Sequence, residues 1–138
     1  MSASRRVAGL SGGAALAAAA ILHLYWLKGG RVGATRVIPT TDGEQSFQPG
    51  PIATGAVAAA LGTAACLYVG AGLGREPRWL YRSGTIGAAT VLAARALGDG
   101  RHVGFLKTER ESEFAVLDTR LLAPLCAALA TAGAIAAR

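Results

Sequence analysis

Apolar residues fall along this chain in four blocks rather than in the one-sided stripes of a soluble helical protein, and those blocks set the architecture. Val7 to Leu27 and Ile52 to Leu73 contain no charged residue. With a rise of roughly 1.5 Å per residue, either run crosses a hydrocarbon core of about 30 Å as a helix. A third block, Trp79 to Gly98, is broken by Arg82 at its start and Arg95 near its end. A fourth, Phe114 to Ala137, carries Asp118 and Arg120 in its first turns. The centres of both remain apolar. No block alternates as a barrel strand must, and helices satisfy their own backbone in lipid. The pattern therefore predicts an all-α integral membrane protein, a single domain over residues 1–138. Its expected form is a four-helix bundle running up-down-up-down.

The connections differ in length. The second is a tight polar turn, Gly74-Arg75-Glu76-Pro77, which makes the second and third helices antiparallel neighbours. The first, Lys28 to Pro51, is long and punctuated by Gly29-Gly30, Pro39, Asp42-Gly43 and Pro49-Gly50-Pro51. The third, from Gly100 to Glu113, ends in a mixed-charge run whose Glu109, Glu111 and Glu113 read as solvated. Both long loops emerge at the same end of the bundle. Ordered loops of this length are usually functional, so the segments Val37 to Pro39 and Val103 to Lys107 are expected to close over the bundle as a lid. Arg5-Arg6 before an Ala-rich run also fits a twin-arginine secretory signal. That run ends in His23-Leu24-Tyr25-Trp26 instead of a small-residue cleavage site, and it is read here as the first span.

Composition agrees with a cell-membrane location: 52% of residues are hydrophobic and 16% charged. With Arg82 counted in the second connection, Lys and Arg divide evenly between the two sides, but the flank before the first span holds Arg5 and Arg6 and no acid, and both termini are expected in the cytoplasm. The net charge of +6 comes without a basic stripe or an aromatic platform. Membrane lipids rather than nucleic acid are the expected partners. Gly9 and Gly13 have the spacing that brings helices close in lipid, and a homo-oligomer remains open. Cys66 and Cys126, without metal-ligand spacing around them, are expected as free buried packing groups.

The candidate chemistry lies in the ionisable residues at bilayer depth: Arg95, Asp99, Asp118 and Arg120, with His23. Each charge there costs roughly 2.5–3.5 kcal/mol on insertion scales, so it is retained for function or tight pairing. In an up-down-up-down bundle the ends of the first and third helices and the start of the fourth share one leaflet. His23 and Trp26 share a helix face, as do Arg95 and Asp99, and a single polar pocket is expected. Asp99 at a helix C-terminus is penalised by the dipole and must either pair or hold a proton. One reading is an Arg95–Asp99 or Arg95–Asp118 ion pair pinning the third helix to the fourth. The other is a carboxylic acid kept neutral by burial and able to donate a proton. His23 can instead hydrogen-bond a loop carbonyl at the interface, and Tyr25, Trp26, Trp79 and Tyr81 can be interface anchors.

The segments His23-Leu-Tyr-Trp26, Gly29-Gly30, Val37-Ile-Pro39, Arg95-Ala-Leu-Gly98-Asp99, Val103-Gly-Phe105-Leu-Lys107 and Phe114-Ala-Val-Leu-Asp118-Thr-Arg120-Leu-Leu-Ala-Pro124-Leu resemble a bacterial domain-of-unknown-function family of small four-span membrane proteins. In size and span number the chain also resembles bacterial membrane-bound indole-terpenoid cyclases. It has no aspartate-rich magnesium motif. That second resemblance implies a metal-independent cyclase, without cofactor, that protonates an epoxide or alkene of a hydrophobic prenylated small molecule in a dry pocket. On chemistry and depth, Asp99, Asp118 and His23 are its candidate acids, and Tyr25, Trp26, Arg95, Phe105, Phe114 and Arg120 its candidate substrate contacts. The alternative is a non-enzymatic membrane protein that binds a lipid, quinone or small hydrophobic ligand, or an accessory subunit.

Overall fold

The computed structural model describes residues 2–41, 44–45 and 48–138. Four helices make up most of it: α1 (Ala3–Leu27), α2 (Pro51–Leu73), α3 (Arg78–Leu97) and α4 (Glu113–Ala136). Three of them, α1, α2 and α4, are long and apolar enough to cross a membrane. The third expected span, α3, forms as a helix but does not reach that hydropathy, because Arg78, Arg82 and Arg95 stand within it.

Local chemistry explains the helix ends. Pro51 opens α2 behind Gly50, where a missing N–H costs nothing. Gly74 closes the same helix at φ 64°, and the N–H groups of Gly74 and Arg75 return to the carbonyls of Ala71 and Gly70. The chain then turns straight into α3. In α4 the stretch Asp118–Leu122 widens to a π turn in which the Ala123 N–H donates to the Asp118 carbonyl, five residues back. Pro124 gives the reason: it has no N–H for the carbonyl of Arg120, and its ring crowds that carbonyl in a regular helix.

Sequence neighbours pack antiparallel. Gly9 of α1 lies so close to Gly72 of α2 that an added Cβ would stand 2.6 Å from the Gly72 Cα. This is the close approach that the glycine spacing on α1 anticipates. Further along, Leu16, Ala64, Ala65, Tyr68 and Leu129 form the core. Tyr68 is fully buried there, and its hydroxyl donates to the Leu129 carbonyl at 3.0 Å, so a polar atom at mid-helix is satisfied across the α2–α4 contact. Large apolar side chains such as Ile21, Ile52 and Val91 point outward. Cys66 and Cys126 are both free, but Cys66 lies on an exposed face rather than buried as expected.

The first connection carries a short 3-10 helix, Ala34–Val37, which leans on the first turn of α4, and a two-residue antiparallel ribbon of β1 (Thr40–Thr41) with β2 (Glu44–Gln45). The Asp42-Gly43 turn expected in this connection lies outside the described residues.

Candidate functional site

The polar residues assemble at one end of the helices, around the segment that follows α3. Gly98 (φ 96°) and Gly104 (φ 79°) both adopt left-handed backbone, and a Cβ on Gly98 would collide with the Val103 carbonyl. Only glycines permit this fold-back. It brings the N–H groups of Phe105 and Leu106 onto the carbonyls of Ala96 and Leu97 at 2.8 and 3.0 Å. Val103 to Lys107 is therefore held against the end of α3, ordered as the expected lid requires, although it lines neither of the cavities described below.

Two carboxylates hold the rest of this loop. Asp99 Oδ1 accepts the N–H groups of Arg101, His102 and Val103 at 2.9, 2.7 and 3.0 Å, and Asp118 Oδ2 accepts that of Gly104 at 2.7 Å. Four consecutive N–H groups thus end on two aspartates. The Val103 N–H, with those of Arg101 and His102, holds the Asp99 carboxyl down at about 2. The dipole penalty expected for Asp99 is avoided because Asp99 lies beyond the end of α3 and turns to the following amides.

Asp118 is fully buried and doubly paired. Arg95 Nη2 donates to its Oδ1 at 2.6 Å, and Lys107 Nζ to its Oδ2 at 2.9 Å. Lys107, only 3% exposed, also donates to the Gly104 carbonyl at 3.0 Å and to Thr119 Oγ1 at 2.7 Å, so its three donors are all used. Of the two ion pairs the sequence allows, the structure forms Arg95–Asp118. Asp99 makes no bond to Arg95 among the described residues and meets Asp118 only through the loop they share.

Lys107 is the member that sequence reasoning missed, because a lysine in a charged loop reads as solvated. The signal was present in Gly98, Asp99 and Gly104, whose spacing allows the fold-back.

A second feature lies apart from this lock. A cleft of about 710 Å³ opens between the end of α1, the first connection and the start of α2. His23 and Trp26 form part of its wall, their rings edge to face with centroids 4.9 Å apart. Val37, Ile38, Ala53 and Val57 supply apolar surface, and Arg31, Gln45 and Gln48 supply polar groups. Trp26 Nε1 donates to the Val32 carbonyl at 2.9 Å, which fixes the indole against the connection. His23 Nδ1 lies 2.8 Å from the Ala19 carbonyl. This carbonyl, one turn back in the same helix, replaces the loop carbonyl expected for His23.

The single pocket expected from topology is therefore two places. His23 and Trp26 reach the cleft; Asp118 and Arg95 belong to the lock with Lys107. The remaining expected substrate contacts line neither: Tyr25 is exposed and its ring covers Gly30, Phe105 and Arg120 are exposed, and Phe114 is buried beside the lock's helix turn. The reason is geometric. Topology fixes the end of the bundle a residue occupies, while the path of the connections fixes which residues share a cavity. Among the described residues no cluster of His, Cys, Asp and Glu is arranged to hold a metal.

A family model described as "Protein of unknown function (DUF3995)" matches residues 16–133, and the chain belongs to that family. No curated protein and no solved structure matches it.

Proposed function

We propose, for this member of a family whose description assigns no activity, a multi-pass cell-membrane protein that binds a small hydrophobic molecule with a polar head, of the quinone or prenyl-lipid kind, in the His23–Trp26 cleft. The observation that carries this is the cleft itself. Its volume of about 710 Å³ falls within the range of roughly 300–1,000 Å³ typical of small-molecule sites. Its wall combines aliphatic groups and one aromatic face with a few polar groups, the composition that orients an amphiphile. In this reading α3 is the fourth span, supported by the outward-facing Leu80, Ile86 and Val91, with Arg82 and Arg95 near its two ends. Both termini then lie on the cytoplasmic side, with the arginine-rich end.

Titrating a short-chain quinone and a prenylated indole into detergent-purified protein, with Trp26 as the fluorophore in a Trp79→Phe background, tests the reading. Saturable quenching is expected, and Ala53→Phe, which crowds the cleft without adding a second fluorophore, should weaken it strongly. Wild-type binding in Ala53→Phe would move the ligand elsewhere.

One observation favours proton-initiated cyclisation as a second reading. The Ala19 carbonyl engages His23 Nδ1 and leaves Nε2 as the ring nitrogen open to a reacting group. Both aspartates are engaged as acceptors, and His23 would then be the acid. Protonated Nε2 would give its proton to an epoxide oxygen or alkene carbon, and loss of a proton from the final cation would return it. His23→Gln should eliminate product from a prenylated substrate while binding persists. Failure of the wild-type protein to form any product leaves the binding reading alone.

A further inference from the structure

At the opposite end of the helices, where α1 starts, α2 gives way to α3 and α4 ends, Arg5, Arg78, Arg82 and Arg138 surround a pocket of about 170 Å³ floored by Gly74. We propose that this pocket binds a phosphate group, that of an anionic phospholipid headgroup, independently of what fills the cleft.

Two of the four arginines are held in place by the helix ends. Arg82 Nε donates to the Ala137 carbonyl at 2.7 Å, and Arg5 reaches the carbonyls of Ala136 and Ala71 through Nε and Nη2 at 3.4 and 3.5 Å. The ends of α2 and α4 thus orient two guanidinium groups. The terminal nitrogens of Arg82 have no partner among the described residues. Among the described residues Glu76 is the one side-chain carboxylate nearby, and it is already paired with Arg78, whose Nε lies 3.0 Å from its Oε1. Like charges gathered around one small space repel, and Glu76 offsets one of the four. The phosphodiester of a headgroup offsets a further one, and its several oxygens suit the planar, forked donors of arginine better than any single acceptor does.

Size and depth choose the source. The pocket is smaller than the roughly 300 Å³ at which sites for whole organic ligands begin, so it takes a headgroup and not a metabolite. It starts where the apolar run of α2 stops at Leu73, and Trp79, 72% exposed on the first turn of α3, is an aromatic anchor at that level. In sequence this end carries six arginines (Arg5, Arg6, Arg75, Arg78, Arg82, Arg138) against one acid, the balance that draws anionic lipid.

The test uses the full chain in nanodiscs of phosphatidylcholine doped with phosphatidylglycerol, with native mass spectrometry counting retained lipid. Wild type should retain phosphatidylglycerol over phosphatidylcholine. Arg82→Gln and Arg78→Gln should each lower that retention by about tenfold or more, the worth of one charge-assisted hydrogen bond. Arg6→Gln, outside the pocket, should leave it unchanged. Arg78→Gln carries the test if Arg82→Gln fails to fold. Lipid that is not displaced by excess inorganic phosphate confirms the headgroup as the source. Displacement by inorganic phosphate, lost in the same variants, keeps the phosphate site but overturns the lipid. Equal losses in Arg6→Gln, or no preference in wild type, would overturn the site.

Discussion

The two ends of this molecule treat charge in opposite ways. In sequence, the end bearing the long connections holds eight cationic and seven acidic residues; there the buried Lys107 and Asp118 and the part-buried Arg95 are bonded to each other, and the exposed Asp99 is bonded to three amides. The other end holds six arginines and a single acid around a small open pocket. Charges neutralised internally fix a conformation, whereas charges left in excess around a cavity are available for something outside the chain. The loop end is accordingly a lock beside an apolar cleft, and the arginine end a receptor for an anion.

The comparison breaks most visibly at Asp118. Replacing it by Leu strands Lys107 in a buried site without its counter-charge, which costs about 3–5 kcal/mol when one partner of a buried pair is removed. Unfolding in detergent followed by circular dichroism should show a loss of that size. Adding Lys107→Met should return much of it, since the double variant buries no unpaired lysine and the guanidinium of Arg95 is partly exposed. A double variant as unstable as Asp118→Leu would show that the lock is not electrostatic.

Much of this end was legible before the structure. The uncharged runs of α1 and α2 and the glycine and proline signals around them place those helices to within a few residues, because lipid-length apolar runs leave no competing assignment. Arg95 and Asp118 follow from opposite charges at helix ends that share a leaflet. An ordered Val103 to Lys107 was expected, but the burial of Lys107 was not, since it depends on Gly98 and Gly104 both being left-handed and on Asp118 being turned inward within a π turn. Nor was the separation of His23 and Trp26 from the aspartates. It depends on the course of the described residues of the first connection, 28–41, 44–45 and 48–50, which no periodicity in that segment encodes.

The glycine fold-back gives the next largest expected effect. Gly98→Ala must place a Cβ against the Val103 carbonyl at φ 96°, a strain on the order of 1–3 kcal/mol. Thermal unfolding should drop accordingly, and an amine-reactive probe should label Lys107 faster as the loop opens. Unchanged labelling with lowered stability would mean that the loop and the lock are independent.

A smaller, pH-dependent effect belongs to Asp99. Its carboxyl is held at about 2 in the folded chain against an ordinary 3.8, so the carboxylate stabilises the folded loop. The sign follows from linkage: that stabilisation is complete above 3.8 and is lost as pH falls through about 2. Hydrogen exchange of the Arg101, His102 and Val103 amides, corrected for intrinsic rates, should lose protection over that window. Asp99→Ala should remove the protection at every pH and with it the pH dependence.

The smallest expected change in stability is at the arginine end, and it sharpens the comparison most. Arg78 and Glu76 form a pair whose side chains are each 72% exposed. Exposed pairs contribute about 0–1 kcal/mol, so Arg78→Gln should unfold within roughly 0.5 kcal/mol of wild type. The same variant is expected to lose lipid retention by tenfold or more, a difference that a residue serving the fold would not produce. A large stability loss in Arg78→Gln, comparable with that in Asp118→Leu, would make the two ends alike: the arginines would then hold the helix ends together as Arg95 and Lys107 hold the loop. A near-neutral unfolding midpoint with lost headgroup binding instead separates recognition from scaffolding residue by residue, since Arg78 gives the fold only a solvated contact to Glu76 while Arg82 gives it a direct bond to the end of α4.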